Sequence, residues 1–273
     1  MAAAAARTAP ALQRARGDGR VVAERGARRT AISELYQEGC AKIRLPHTHD
    51  ASLQAVLMNT AGGLCGGDHL RWSATARPGA SVVVTTPACE RVYRSLGEAA
   101  VVENHLTAEA GAHLDWLPQE TILFEGARLE RRLEVDLAPD ATFTAIEAVL
   151  LGREAMGEAA WDAHLNDSWR IRRGGKLIHA EATRLGGDRR ERDGAGLLAG
   201  ALAFATVVHV AADAERRLDA VRALLPETGG ASLAGERLTV RLLAPTGLAL
   251  RRALAPIIGL LSSAGTLPRL WSL

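Results

Sequence analysis

Leu70-Arg71-Trp72-Ser73-Ala74-Thr75-Ala76 runs through the turn signal Arg77-Pro78-Gly79 into Ser81-Val82-Val83-Val84-Thr85-Thr86. Both stretches suit a pleated surface, and no helical stretch separates them. Strand therefore follows strand without a crossover helix, which disfavours a parallel βαβ sheet. The same reading extends outward between Val21 and about Leu185. It takes in Leu53 to Met58, Val101 to Ala108, Leu129 to Leu137, Thr142 to Leu151 and Trp169 to Arg172, with Ala138-Pro139-Asp140 as a second turn of the same kind. Helical signals gather toward the C-terminus. Asp213 caps a predicted helix through Leu225, where Leu218, Val221, Leu224 and Leu225 recur at helical spacing and Pro226 stops it. A second helix is expected from about Gly247 to Leu261, interrupted near Pro256. The fold class predicted is mainly β with about two α-helices toward the C-terminal side.

Composition limits the function classes. The chain has 273 residues, 48% of them apolar and 23% charged. That composition is globular, and the length can bury an ordinary core without disulfide or metal staples. A net charge of +2 is too small to draw the chain to nucleic acid or to an anionic membrane surface. Cys40, Cys65 and Cys89 are an odd, widely spaced set that fits neither a disulfide framework nor a Cys-x-x-Cys pair, and a reducing compartment suits them. Residues 1–20 hold Arg7, Arg14, Arg16 and Arg20 against Asp18 alone, without the apolar core of a secretory signal, and read as a disordered Ala/Arg-rich tail before one domain at 21–273. The uncharged run from Gly194 to Ala212 contains three glycines, Thr206 and His209, and reads as a buried strand or packed turn rather than a membrane span.

Four stretches offer candidate chemistry. In Asn59-Thr60-Ala61-Gly62-Gly63-Leu64-Cys65-Gly66-Gly67-Asp68 no Gly-Lys-Ser/Thr follows and no glycine triplet has the dinucleotide-binding spacing. The loop reads either as a tight turn in which Asp68 bonds local amides, or as backbone opened to an approaching chain or ion with Asp68 as a hard oxygen ligand. His47 and His49 stand two apart, placed to grip a transition metal if on a strand, or as surface side chains in the loop after Pro46. Cys89, beside Arg91 and Arg94, is either a thiol of lowered pKa or a structural cysteine, and no histidine lies near it in sequence. Glu147, Glu154 and Glu158 surround Leu151-Gly152-Arg153-Glu154-Ala155-Met156-Gly157-Glu158, as paired carboxylates or as charges balanced by Arg153.

Taken together and in order, these stretches resemble the urease accessory protein UreD family, called UreH in some organisms. The resemblance begins near Tyr36 and passes through Gly62 to Asp68 and Thr85-Thr86-Pro87-Ala88-Cys89-Glu90-Arg91-Val92-Tyr93-Arg94-Ser95. It continues through Leu117-Pro118-Gln119-Glu120-Thr121-Ile122-Leu123-Phe124, Leu151 to Glu158 and Trp169 to Ala182, and ends at Pro268-Arg269-Leu270-Trp271. It implies an elongated, β-helix-like stack of strands with two helices, and an auxiliary protein rather than an enzyme. It further implies a cytoplasmic scaffold that binds urease apoprotein and, with UreF and the GTPase UreG, supports nickel insertion, with no tightly bound cofactor and nickel only in transit. Transfer between partners calls for transient ligands. Asp68 is the expected lining group, followed by Glu147 and Glu158, since acids buried among strands are costly without a cation or water. Cys65 occupies a position that is often apolar in relatives. The alternatives are a β-solenoid interaction module without metal transit, or a hydrolase built on Asp68, His69 and Cys89.

Overall fold

The computed structural model describes residues 13–48, 51–186, 189–262 and 267–272. In chain order the strands are β1 (Arg16–Arg25), β2 (Thr30–Gly39), β3 (Ala41–Arg44), β4 (Leu53–Asn59), β5 (His69–Ala76), β6 (Ser81–Thr85), β7 (Glu90–Val92), β8 (Ala100–Ala108), β9 (His113–Leu117), β10 (Thr121–Leu123), β11 (Arg128–Leu137) and β12 (Thr142–Leu151). Then follow β13 (His164–Arg173), β14 (Lys176–Leu185), β15 (Ala203–Val210), β16 (Gly229–Ala234) and β17 (Arg237–Ala244), with helices α1 (Arg189–Arg192), α2 (Ala214–Ala223) and α3 (Gly247–Leu261).

One sheet has the order β14-β13-β11-β8-β5-β1-β2, the other β16-β17-β15-β12-β9-β6-β4-β3. From β4 to β13, the short β7 and β10 apart, successive strands alternate between them. β5, β8, β11 and β13 stack as parallel rungs of the first and β4, β6, β9 and β12 as parallel rungs of the second, which β10, paired with the end of β12, and β7 extend to one side. The turns seen in sequence are thus corners of a coil rather than hairpins. They stack too: Gly79 N–H donates to Ala110 O and Ala138 N–H to Ala108 O, at 2.9 and 2.8 Å. Parallel strands need no helical crossover when each rung returns through a second sheet, so the chain is β-solenoid-like.

Alternation along each rung explains the packing. In β11, Leu129, Leu133, Val135 and Leu137 point inward while Glu130, Arg132 and Asp136 face solvent. β12 is buried on both faces: Phe143, Ala145 and Val149 fill the coil, whereas Ile146 and Ala148 meet α2, α3 and β15–β17 in a second core. β15, drawn from the uncharged run, lies between β12 and β17. Among the described residues no helix is long and apolar enough to cross a membrane.

Two expectations need correction. β1 starts at Arg16, inside the segment assigned to the tail, while residues 1–12 lie outside the described residues. The charges there alternate with Gly17 and Gly19 on the inner face, and a Cβ on Gly19 would run into the Trp72 ring, so glycine permits a strand where charge counting suggests a tail. α3 is also continuous through Pro256. Pro256 and Arg252 are both exposed, so the Arg252 carbonyl that loses its N–H partner faces water. Thr246 Oγ1 caps the helix by accepting from Ala249 N–H at 3.1 Å.

Candidate functional site

The interior of the coil is apolar at both ends and polar across one layer. Arg131 on β11 and Asp167 on β13 are register partners, each at an inward position flanked two residues away by Leu129 and Leu133, and by Leu165 and Trp169. Glu147 reaches the same layer from β12 in the facing sheet, between Ala145 and Val149. Arg131 Nε and Nη2 donate to Asp167 Oδ1 and Oδ2 at 3.2 and 2.7 Å, and its Nη1 donates to Thr121 Oγ1 at 3.1 Å and pairs with Glu147 Oε2. Trp116 Nε1 donates to Glu147 Oε1 at 2.9 Å. Burial opposes the charge on Arg131, but the Asp167 and Glu147 carboxylates outweigh it and hold the guanidinium ionised. Burial also pushes the Glu147 carboxyl up, against the pull of Arg131.

Beside this triad lies a cavity of about 60 Å³, room for a few waters, lined in part by Glu90, Asn104, Trp116, Thr121, Arg131 and Glu147. Asn104 is 2% exposed and its Oδ1 has no partner among the described residues, an arrangement that calls for water or a cation. Glu90 accepts from Asn59 Nδ2 at 3.4 Å, and burial pushes its carboxyl up to about 7. Sequence reasoning found Glu147 but missed Arg131, Asp167, Asn104 and Glu90. For Arg131, Asp167 and Asn104 the available signal was a polar residue at an inward position of an alternating strand, a signal that Glu90 on the three-residue β7 does not carry.

The other expected site residues lie elsewhere. Asp68 is buried but does not line the cavity. Its Oδ1 accepts from Ala15 N–H and its Oδ2 from Cys65 N–H, both at 2.7 Å, so the carboxylate fastens the glycine loop to the entry of β1. Gly63, at φ 142°, sits where a Cβ would strike Tyr93. Glu158 closes the loop after β12: its Oε1 accepts from Glu125 N–H and its Oε2 from Arg153 Nε, both at 2.5 Å. Glu154 is exposed in the short 3-10 turn of that loop. His47 is exposed in the loop after β3, and His49 lies outside the described residues. Among the described residues no three His, Cys, Asp or Glu side chains group as metal ligands.

Cys89 is no activated nucleophile. Burial and the neighbouring Glu120 carboxylate push its thiol up to about 11, and Sγ donates to Glu120 Oε2 at 3.3 Å. Arg91 and Arg94, adjacent in sequence, are not what the thiol meets. Glu120 is bound instead by Arg251 of α3, through Nε at 2.9 Å and Nη2 at 2.6 Å. Gln119 Nε2 donates to Leu270 O and Trp271 Nε1 to Leu117 O, both at 2.9 Å, with the Arg251 guanidinium 5.0 Å from the centre of the Trp271 ring. Two stretches far apart in sequence thus form one clasp.

A family model described as UreD urease accessory protein matches residues 15–272. The chain belongs to the UreD family. A protein named urease accessory protein UreD from Chelativorans sp. (strain BNC1) is 58% identical over 264 residues, covering 96% of this chain and 95% of the relative. A protein of the same name from Sinorhizobium medicae (strain WSM419) is 48% identical, covering 99% of both chains. A third, from Agrobacterium fabrum (strain C58), is 49% identical over 96% of this chain and 92% of its own. The UreD match includes Arg16 to Arg20, in agreement with β1 as part of the folded body.

Proposed function

We propose that this chain is a non-catalytic scaffold of urease maturation. It docks on urease apoprotein in the cytoplasm and, with UreF and through UreF with UreG, passes nickel toward the urease active site, without a tightly bound cofactor. Neither nucleic acid nor a membrane surface takes part. The observation that carries metal transit is the polar layer across an otherwise apolar coil, where Glu90, Asn104 and Glu147 present oxygens to one small cavity. Such oxygens bind a divalent ion weakly enough to release it. Asp68 and Glu158 serve this reading as clamps that shape loops, not as stopping points for the ion. The test is complementation of a urease-positive cell that lacks its own accessory protein of this family. Glu147→Gln is expected to lower nickel per purified urease about tenfold while the complex with UreF and apo-urease still co-purifies. Wild-type nickel content with that variant would remove Glu147 from the path.

A second reading, a docking module without metal transit, is favoured by the Asp68 clamp and by the lack of a three-ligand group among the described residues. Nickel titration separates the two: a pure docking module binds nickel alike as wild type and as Glu147→Gln.

A further inference from the structure

Arg131 lies between two carboxylates that come from opposite walls of the coil, Asp167 on β13 and Glu147 on β12. That is the position a divalent cation would take between two converging acids. The guanidinium bonds both oxygens of Asp167 and one of Glu147, and the indole N–H of Trp116 takes the other oxygen of Glu147. Trp169 Nε1 further donates to Asp167 Oδ2 at 3.4 Å. Arg131 and Glu147 line the cavity, but Asp167 does not: it is screened behind the guanidinium. The cavity therefore offers a passing cation Glu147, Glu90 and the partnerless Asn104 Oδ1, while the acid that would complete a closed site is withheld.

We propose that Arg131 is a resident counter-cation that keeps this layer from becoming a trap for a divalent ion. The inference rests on the transit reading and adds to it how the cargo is released. One guanidinium faces two carboxyl groups, so the layer still offers oxygens to a cation that enters the cavity. The fixed positive charge also repels a dication that approaches Glu147 too closely, so residence stays short. Arginine suits the task because it stays protonated at any working pH and its planar fork holds Asp167 through two parallel bonds. An ordinary buried ion triad whose only role is structural would account for the same hydrogen bonds, and it predicts a different response to metal.

The experiment is equilibrium dialysis of the full-length protein against Ni²⁺. Arg131→Met exposes Asp167 beside Glu147 and is expected to bind one nickel per chain at least about tenfold more tightly than wild type. Adding Asp167→Asn to that variant should abolish the gain. In the complementation assay Arg131→Met should lower urease nickel content, because the ion stays behind. If the methionine variant aggregates, Arg131→Gln serves, since a neutral amide removes the charge but can still hydrogen-bond Asp167, and a gain of about threefold is expected. Unchanged affinity in whichever variant folds overturns the role of Arg131 and leaves metal transit standing. Full urease activation by Glu147→Gln removes Glu147 from the path, whereas the nickel affinity of Arg131→Met still reports on Arg131 alone.

Discussion

Asp68 meets two amide N–H groups at 2.7 Å, one from Ala15 and one from Cys65, across a loop that also needs Gly63 at positive φ. Its aspartate is a structural requirement in its own right. Asp68→Ala leaves two partly buried donors without an acceptor, at a cost of about 2 kcal/mol, and Asp68→Asn, which retains one carbonyl oxygen, should lose about half as much. Urea unfolding of the two variants checks this, and an unchanged midpoint for the alanine variant would rule out the clamp. The glycine-rich stretch displays both of its readings in sequence, and only the position of Ala15 decides between them. Cys89 makes the same point with the opposite sign. Arg91 and Arg94 follow it within five residues of chain, but the side chain it touches is Glu120, so a thiol that sequence places near two positive charges sits beside a negative one in the fold.

α3 carries a proline in its interior without a break, because the carbonyl thus deprived of a partner points to water. Its apolar face, Leu250, Leu254, Ile257, Ile258 and Leu261, is fully buried against the second sheet and sets the position of the helix more firmly than one hydrogen bond. Pro256→Ala restores an N–H for the Arg252 carbonyl and removes a poor helix former. It should raise stability by about 1 kcal/mol once the greater entropy of the unfolded chain is counted against it. A thermal melt checks the direction, and a lower midpoint would mean that Pro256 packs against something essential. Among the strands, Thr142 to Leu151 coincides with β12 and Leu53 to Met58 falls one residue short of β4. Elements of this kind were legible because local composition and turn residues suffice to mark them.

For the whole molecule, buried groups tilt stability with pH in opposite directions. Burial raises Glu90 from 4.5 to about 7, so between those values the folded protein binds more protons than the unfolded chain, and stability falls as pH rises through the window. Burial, with a contribution from Arg217, lowers His209 from 6.5 to about 4, so there the unfolded chain binds more protons and stability falls as pH drops. Glu90→Gln should flatten the slope between about pH 4.5 and 7, and His209→Gln the slope between about pH 6.5 and 4. Urea midpoints measured across pH 4 to 8 would show either slope unaltered if the assignment is wrong. The sequence by itself determined the mainly β class, the two longer helices toward the C-terminal side and the family, because each follows from residue type, spacing or motif order along the chain; it named Glu147 without showing that the side chain is buried. Only the tertiary structure decided that the rungs pair in parallel through two sheets, that β1 begins at Arg16, and that Arg131, Asp167, Asn104 and Glu90 share one layer with Glu147. Coil closure sets that layer: it brings inward positions from opposite walls together across tens of residues, and no local pattern encodes which of them will meet.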